Sequence, residues 1–187
     1  MSEDTNLAAK LAFLEKFGAD NVDHSEEDLM SHLTNTHQIL VEWEASQSLC
    51  DAGLFHSIYG TEAFQTQVVP DEHRQEVAAL IGAEAEKIVW HFCTMKRATL
   101  SENLSRDGDL QIQNRVTEEW YEISEQEFHD LANLTVANAM EHVPRIPPKY
   151  YERSLEHGRM MLLPFAPVLL PKGKSALEEL LSGEKTA

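Results

Sequence analysis

The stretch AGLFHSIYG, residues 52–60, places a histidine inside an apolar run that otherwise reads as buried helix. A buried imidazole needs partners at both ring nitrogens, because a polar group left without one costs about 1–3 kcal/mol. A backbone carbonyl, a neighbouring side chain or a metal ion would serve His56. Upstream, His24 sits just before a helix start and His32 follows about two turns later. Thr36 stands four residues beyond His32, spaced to share its helical face and to meet whatever His32 meets. Imidazoles on neighbouring helices are how all-α proteins build metal sites in a helical core. Which of His24, His32 and His37 line such a site stays open, since a one-residue shift in helix phase exchanges them. Glu84 and Glu86 of IGAEAE would add a carboxylate ligand or general base, or are solvated charges on an acidic chain.

The remaining histidines carry less. His73 lies in the charged run PDEHRQE, and His129, His142 and His157 stand beside Asp130, Glu141 and Glu156, which reads as surface ion pairs of little energy. His91, in IVWHFC, is expected to be buried without a companion.

The elements that must position these residues are mostly helical. Leu7, Leu11, Leu14 and Phe17 recur at helical spacing, with Gly18 as a stop. Ser25 and Asp28 form an acidic relative of the capping box, opening a second helix to about Glu44. Its inward stripe is Leu29, Leu33, Thr36, Leu40 and Trp43, with His32 and His37 on the flanks. A third helix, about Gln47–Tyr59, is apolar nearly all round and belongs at the centre. DEHRQEVAALIG and AEAEKIVWHFCTMK read as two helices, or one bent near Gly82. LQIQNRVTEEWYEIS alternates at Leu110 and Ile112, then at Val116, Trp120 and Ile123, as a small hairpin does. Ser124 and Glu127 make a capping box for a helix over SEQEFHDLANLTVANAMEHV, and RIPPKY breaks the chain before a further helix, about Lys149–Met161. The leucines of SALEELLSG are expected to dock on the body or on a second copy of the chain, which leaves a homodimer open.

Composition narrows the partners. The 187 residues carry 32 acidic against 15 basic side chains, a net charge of −17, and no stretch supplies a basic patch, so nucleic acid is excluded as an expected partner. The longest apolar run, Met160–Leu170, holds two prolines and is far shorter than the ~20 residues of a spanning helix, so no membrane partner is expected. The acidic start MSEDTNLAAK lacks the order of a signal peptide, and Cys50 and Cys93 read as reduced, buried thiols. A cytoplasmic, single-domain protein over residues 1–187 is the expectation, with a small molecule as its partner.

Taken together, DHSEEDLMSHLTNTHQILVEW, LCDAGLFHSIYGTEAF and RQEVAALIGAEAEKIV resemble a family of proteins without an assigned activity. The resemblance runs from about Val22 to Lys87, and LTVANAMEH extends it weakly to about His142. More distantly, AGLFHSIYG is similar to the framework of HD-domain proteins, all-α metalloproteins whose buried helix ends in a His-Asp pair. On that likeness His56 is the pair's histidine and Ser57 stands where the aspartate should be. Asn138, after Ala137, replaces the final aspartate, and His24 or His32 supplies the early ligand. The implied fold is an all-α, HD-like helical bundle with a small β-hairpin insertion, its core about 22–143 and a helical extension about 144–187. The implied function is a metal-dependent enzyme acting on a small molecule, by hydrolysis or oxidation, through a divalent ion (Fe, Mn, Zn or Ni). His24, His32, His56 and Asn138 would hold the metal; Glu84, Tyr59 and Thr36 would serve catalysis and substrate positioning. Both departures replace a hard anionic oxygen with a neutral one, which weakens binding of hard cations. They also support the alternative of a metal-free binding or dimerisation module.

Overall fold

The computed structural model describes the backbone of residues 3–24 and 27–182, and the side chains of residues 6–22 and 28–182 among them. Helix α1 (Glu3–Lys16) ends before Gly18, whose φ of 77° lies in the left-handed region that a side chain disfavours. A two-residue antiparallel ladder follows, β1 (Asp23–His24) with β2 (Glu27–Asp28), and delivers the chain to α2 (Leu29–Glu42). The cap of α2 is Asp28, whose carboxylate accepts the Ser31 backbone N–H at 2.8 Å. The expected Ser25–Asp28 box therefore gives way to an Asp28–Ser31 cap, and Ser25 lies outside the described residues. The stripe of Leu29, Leu33, Thr36, Leu40 and Trp43 is buried, and His32 is buried with it rather than flanking it.

Helix α3 (Gln47–Phe55) opens on Ser46, which accepts the Leu49 N–H, and its residues from Leu49 to Phe55 are all buried. It is the central helix, packed against α2, α5 and α7. It stops a turn before the expected Tyr59, because His56 folds its Nδ1–H back onto the Gly53 carbonyl at 2.7 Å and so occupies one of the helix's open carbonyls. Gly53 sits so close to α2 that a Cβ there would meet Leu40 Cδ1 at 2.6 Å. That close approach is what carries His56 to α2.

Helices α4 (Arg74–Ile81) and α5 (Ala83–Thr94) are separate, parted by Gly82 at φ 90°. Helix α6 (Arg97–Glu102) leads to the expected hairpin, β3 (Gln111–Gln113) with β4 (Trp120–Glu122), in which Ile112 faces Tyr121. Ile112 and Ile123 turn inward; Val116 is exposed because it lies in the turn between the strands, and Trp120 is exposed because it falls on the outward face of β4. Helix α7 (Glu125–Glu141) carries the complete Ser124–Glu127 capping box. Helices α8 (Pro148–Met161) and α9 (Pro171–Ser182) close the chain. Leu177 and Leu181 of α9 are buried against the chain's own α7 and α8, with Gly173 against the Trp43 ring. The described protein is thus all-α with a small β insertion, and none of its described helices is long and apolar enough to cross a membrane.

Several buried charges are paired, as the cost of an isolated ion favours. Lys10, only 2% exposed, ties α1 to α3 through Asp51 at 2.6 Å. Cys50 and Cys93 are free and buried, and burial pushes the Cys93 thiol up to about 12.

Candidate metal centre

Three elements meet at one buried point. His32 comes from the first turn of α2, and His56 from the C-terminal cap of α3. Asn138, Glu141 and His142 come from the end of α7, where i, i+3 and i+4 spacing sets them along one face. His32 Nδ1 lies 2.6 Å from Glu141 Oε2, and His32 Nε2 lies 3.0 Å from His56 Nε2. His56 Nε2 also lies 2.9 Å from Asn138 Oδ1. The partners fix the tautomers. The Gly53 carbonyl can only accept, so His56 carries its proton on Nδ1. An ionised Glu141 can only accept, so His32 carries one on Nδ1 as well. In their neutral forms both rings then aim an Nε2 lone pair at the same small volume, together with an amide oxygen.

The electrostatics support an ionised Glu141 and neutral His56 and His142. Although burial pushes the Glu141 carboxyl up, hydrogen bonds from His32 and Arg145 hold it at about 2, and Asn35 Nδ2 donates to its Oε1 at 3.2 Å. Burial, aided by His32, lowers the His56 imidazole to about 3. Burial and His32 likewise lower His142 to about 4. The His142 ring stacks on His32 at 4.8 Å and 15°, and its Nδ1 accepts from Arg145 at 3.3 Å. Behind His56, the Phe92 ring packs edge-on at 5.3 Å, and Cys93 donates its S–H to the His56 carbonyl.

His32, Glu141 and His142 form a group that could hold a metal ion, their ligand atoms all lying within 4.8 Å of one another. Within that group Glu141 Oε2 already takes both Arg145 and His32 Nδ1, so the carboxylate serves as the backing of His32. Metal-binding histidines generally hold their second nitrogen in this way, against a carboxylate or a carbonyl. His32 and His56 each do so.

Residues 13–97 match the family described as a domain of unknown function, DUF6817. The matched span contains His32 and His56, while Asn138, Glu141 and His142 lie beyond it. Neither a curated protein nor a solved structure matches the chain.

The structure brings His32, His56 and Asn138 together. The side chain of His24 lies outside the described residues. Thr36 is fully buried on the His32 face, but its hydroxyl donates to the His32 carbonyl at 3.0 Å, which commits it to the helix backbone. Glu84 is exposed and accepts from Ser48 Oγ at 2.8 Å. It stands eight residues, or about 12 Å of helix rise, before Phe92, which packs on His56. Glu84 therefore belongs to the solvated face of α5, and the role of ligand or base expected for it has no geometric support. Tyr59 is buried in a different network, reaching Glu86 Oε1 at 3.4 Å; burial and Glu86 both raise its phenol. Glu86 is clamped by Arg74 through 2.6 and 3.0 Å bonds, and that guanidinium lies 3.7 Å above the Trp90 ring. This network joins α4 and α5 to the segment after α3. Glu141 and His142, expected as a surface ion pair, are instead drawn into this cluster by the buried Glu141–His32 contact. The sequence does not single out Asn35 and Arg145, and the spacing of Asn138, Glu141 and His142 on α7 is the signal that points to the group.

Proposed function

We propose that this chain is a metal-dependent enzyme acting on a small molecule, with a transition-metal ion held between His32 and His56 and completed by Asn138. The observation that carries it is the convergence of two Nε2 atoms 3.0 Å apart, each on a ring whose Nδ1 is held by an acceptor. That separation is close to the spacing of neighbouring ligands on one ion, whose bonds run about 2.1 Å. Two imidazoles and an amide oxygen suit Zn, Ni or Fe and disfavour Mg or Ca. When bound, such an ion supplies a Lewis acid and a more acidic water. Glu141 fixes the ring orientation of His32, Gly53 fixes that of His56, and Phe92 keeps water from the back of the site. The resemblance of AGLFHSIYG to the HD-domain framework supports the same reading.

A metal-free binding module is the second reading, favoured by one specific feature. If His32 carried a second proton it would donate to His56 Nε2 at the same 3.0 Å, with the Glu141 carboxylate balancing its charge. Elemental analysis of tag-free protein, purified without chelator or added metal, separates the two. The enzyme reading expects near-stoichiometric Zn, Ni, Fe or Mn in the parent chain and its loss in His56→Ala. A site that stays empty after challenge with these ions establishes the metal-free pocket instead.

A further inference from the structure

A second feature lies beside the histidine cluster. Helices α6, α7, α8 and α9 and the turn after α7 enclose a cavity of about 920 Å³, within the size of small-molecule sites. Its walls are mainly apolar, with Met95, Leu100, Leu155 and Phe165 at the buried end. Tyr150 and Met161, each half exposed, mark an apolar rim. The chain carries 32 acidic residues among 187, yet none of the described residues lining this cavity is acidic, and two of the 15 basic ones, Arg97 and Arg153, are there. On a protein of net charge −17, that local reversal of sign is a specific feature of the cavity.

Arg97 is the informative member. Its Nε is buried without a hydrogen-bond partner, and its guanidinium makes no ion pair among the described residues. Glu62 takes the backbone N–H of Arg97 at 3.0 Å, which leaves the side chain's fork uncommitted. The Phe92 ring lies 5.3 Å beneath the guanidinium and separates it from His56. Burial lowers its proton affinity, and the charge of Glu62 offsets that only in part. Thr135, which also lines the cavity, has its Oγ1 buried without a partner. Buried polar atoms are nearly always satisfied, so two orphans in one cavity point to a missing partner.

We infer that this cavity binds a small molecule with an apolar body and a single carboxylate, the head group seated on Arg97 with Thr135 donating beside it. The guanidinium fork matches a carboxylate in two parallel hydrogen bonds, and the apolar walls take the tail. This inference does not rest on the metal centre, because none of the proposed metal ligands lines the cavity.

Isothermal titration of the full chain with decanoate and, in parallel, with decanol and decyl phosphate tests it. Decanoate is expected to bind with a micromolar constant, at least about ten-fold more tightly than decanol, from a charge-assisted hydrogen bond. Arg97→Gln is expected to erase that preference while leaving decanol binding unchanged. Absence of decanoate binding below its aggregation threshold, or equal affinity for decanoate and decanol, overturns the inference. Decyl phosphate binding more tightly than decanoate overturns the carboxylate assignment. The decanoate–decanol comparison uses the parent chain alone, so it decides the matter even if Arg97→Gln fails to fold.

Discussion

Replacing His56 with alanine separates the structural share of this residue from the metal-binding share. The ring is fully buried, and its loss leaves a cavity beneath Phe92 and strands the Gly53 carbonyl, Asn138 and His32. Loss of packing and of hydrogen-bond partners together costs about 3 kcal/mol. For a chain of this size that lowers the melting temperature by about 6–12 °C. A metal ion present at a hundred times its dissociation constant adds about 2.7 kcal/mol to the parent chain only. Melting each protein with and without a strong chelator measures the two shares separately. The parent is expected to lose a further ~5–10 °C when chelated. His56→Ala, already lower, is expected not to respond, with its helical circular dichroism intact. A parent protein whose melting is indifferent to chelator and to added zinc or nickel would refute the metal reasoning and leave His56 as a hydrogen-bonded core residue.

Asn138→Asp puts a carboxylate 2.9 Å from His56 Nε2; the metal retained through dialysis should rise, while the metal-free form melts lower from its added buried charge. Metal content after dialysis and a chelated melt check both directions. Gly53→Ala drives a Cβ to 2.6 Å from Leu40 Cδ1, so the Leu40 side chain must repack in the core. It should cost about 1–3 kcal/mol in urea unfolding. Glu84→Gln, on the exposed face of α5, should change unfolding by less than about 0.5 kcal/mol and leave metal content untouched. Acid should weaken the fold. His56 and His142 are lowered from 6.5 to about 3 and about 4, and Glu141 from 4.5 to about 2, so the unfolded chain binds more protons than the folded one. Their contribution is whole above about pH 6.5 and drains towards pH 2, first through the imidazoles and then through the carboxylate. Urea midpoints at pH 7, 5.5 and 4 should fall in that order, and a midpoint that rises on acidification contradicts the assignment of neutral rings.

Residue periodicity carries the helices of this chain well, because each one buries a stripe that local spacing already writes. The α2 stripe and the Ser124–Glu127 box are local facts, and the structure keeps both. What spacing does not carry is set by packing between distant segments. Glu141 and His142 are adjacent, charged and near a helix end, so they read as a solvated pair. The burial of Glu141 follows from His32, 109 positions away. Glu84 and Glu86 look interchangeable in sequence, yet two residues along a helix point to different sides. Arg74 buries Glu86 while Glu84 stays in water. The early end of α3 was equally invisible, since it depends on a His56 side chain turning back to cap Gly53. Lys10 reads as a surface lysine until α3 supplies Asp51.

The location of negative charge ties the proposed centre together. Two neutral imidazoles and an amide contribute no charge to a bound dication, and Asn138 stands where an anionic ligand was expected from the resemblance to HD-domain proteins. Glu141 supplies the charge one bond further out. Its carboxylate holds His32 Nδ1 at 2.6 Å, and a carboxylate in that place raises the basicity of the opposite nitrogen. Arg145 on the same oxygen draws part of that charge away and keeps Glu141 ionised to low pH. The ligand set is thus neutral at its surface and anionic behind it, which favours an ion that prefers imidazole over one that requires carboxylate oxygen. That ordering follows from residues on α2, α3 and α7 alone, and it explains why zinc or nickel, rather than magnesium, is the ion to offer the metal-free protein first.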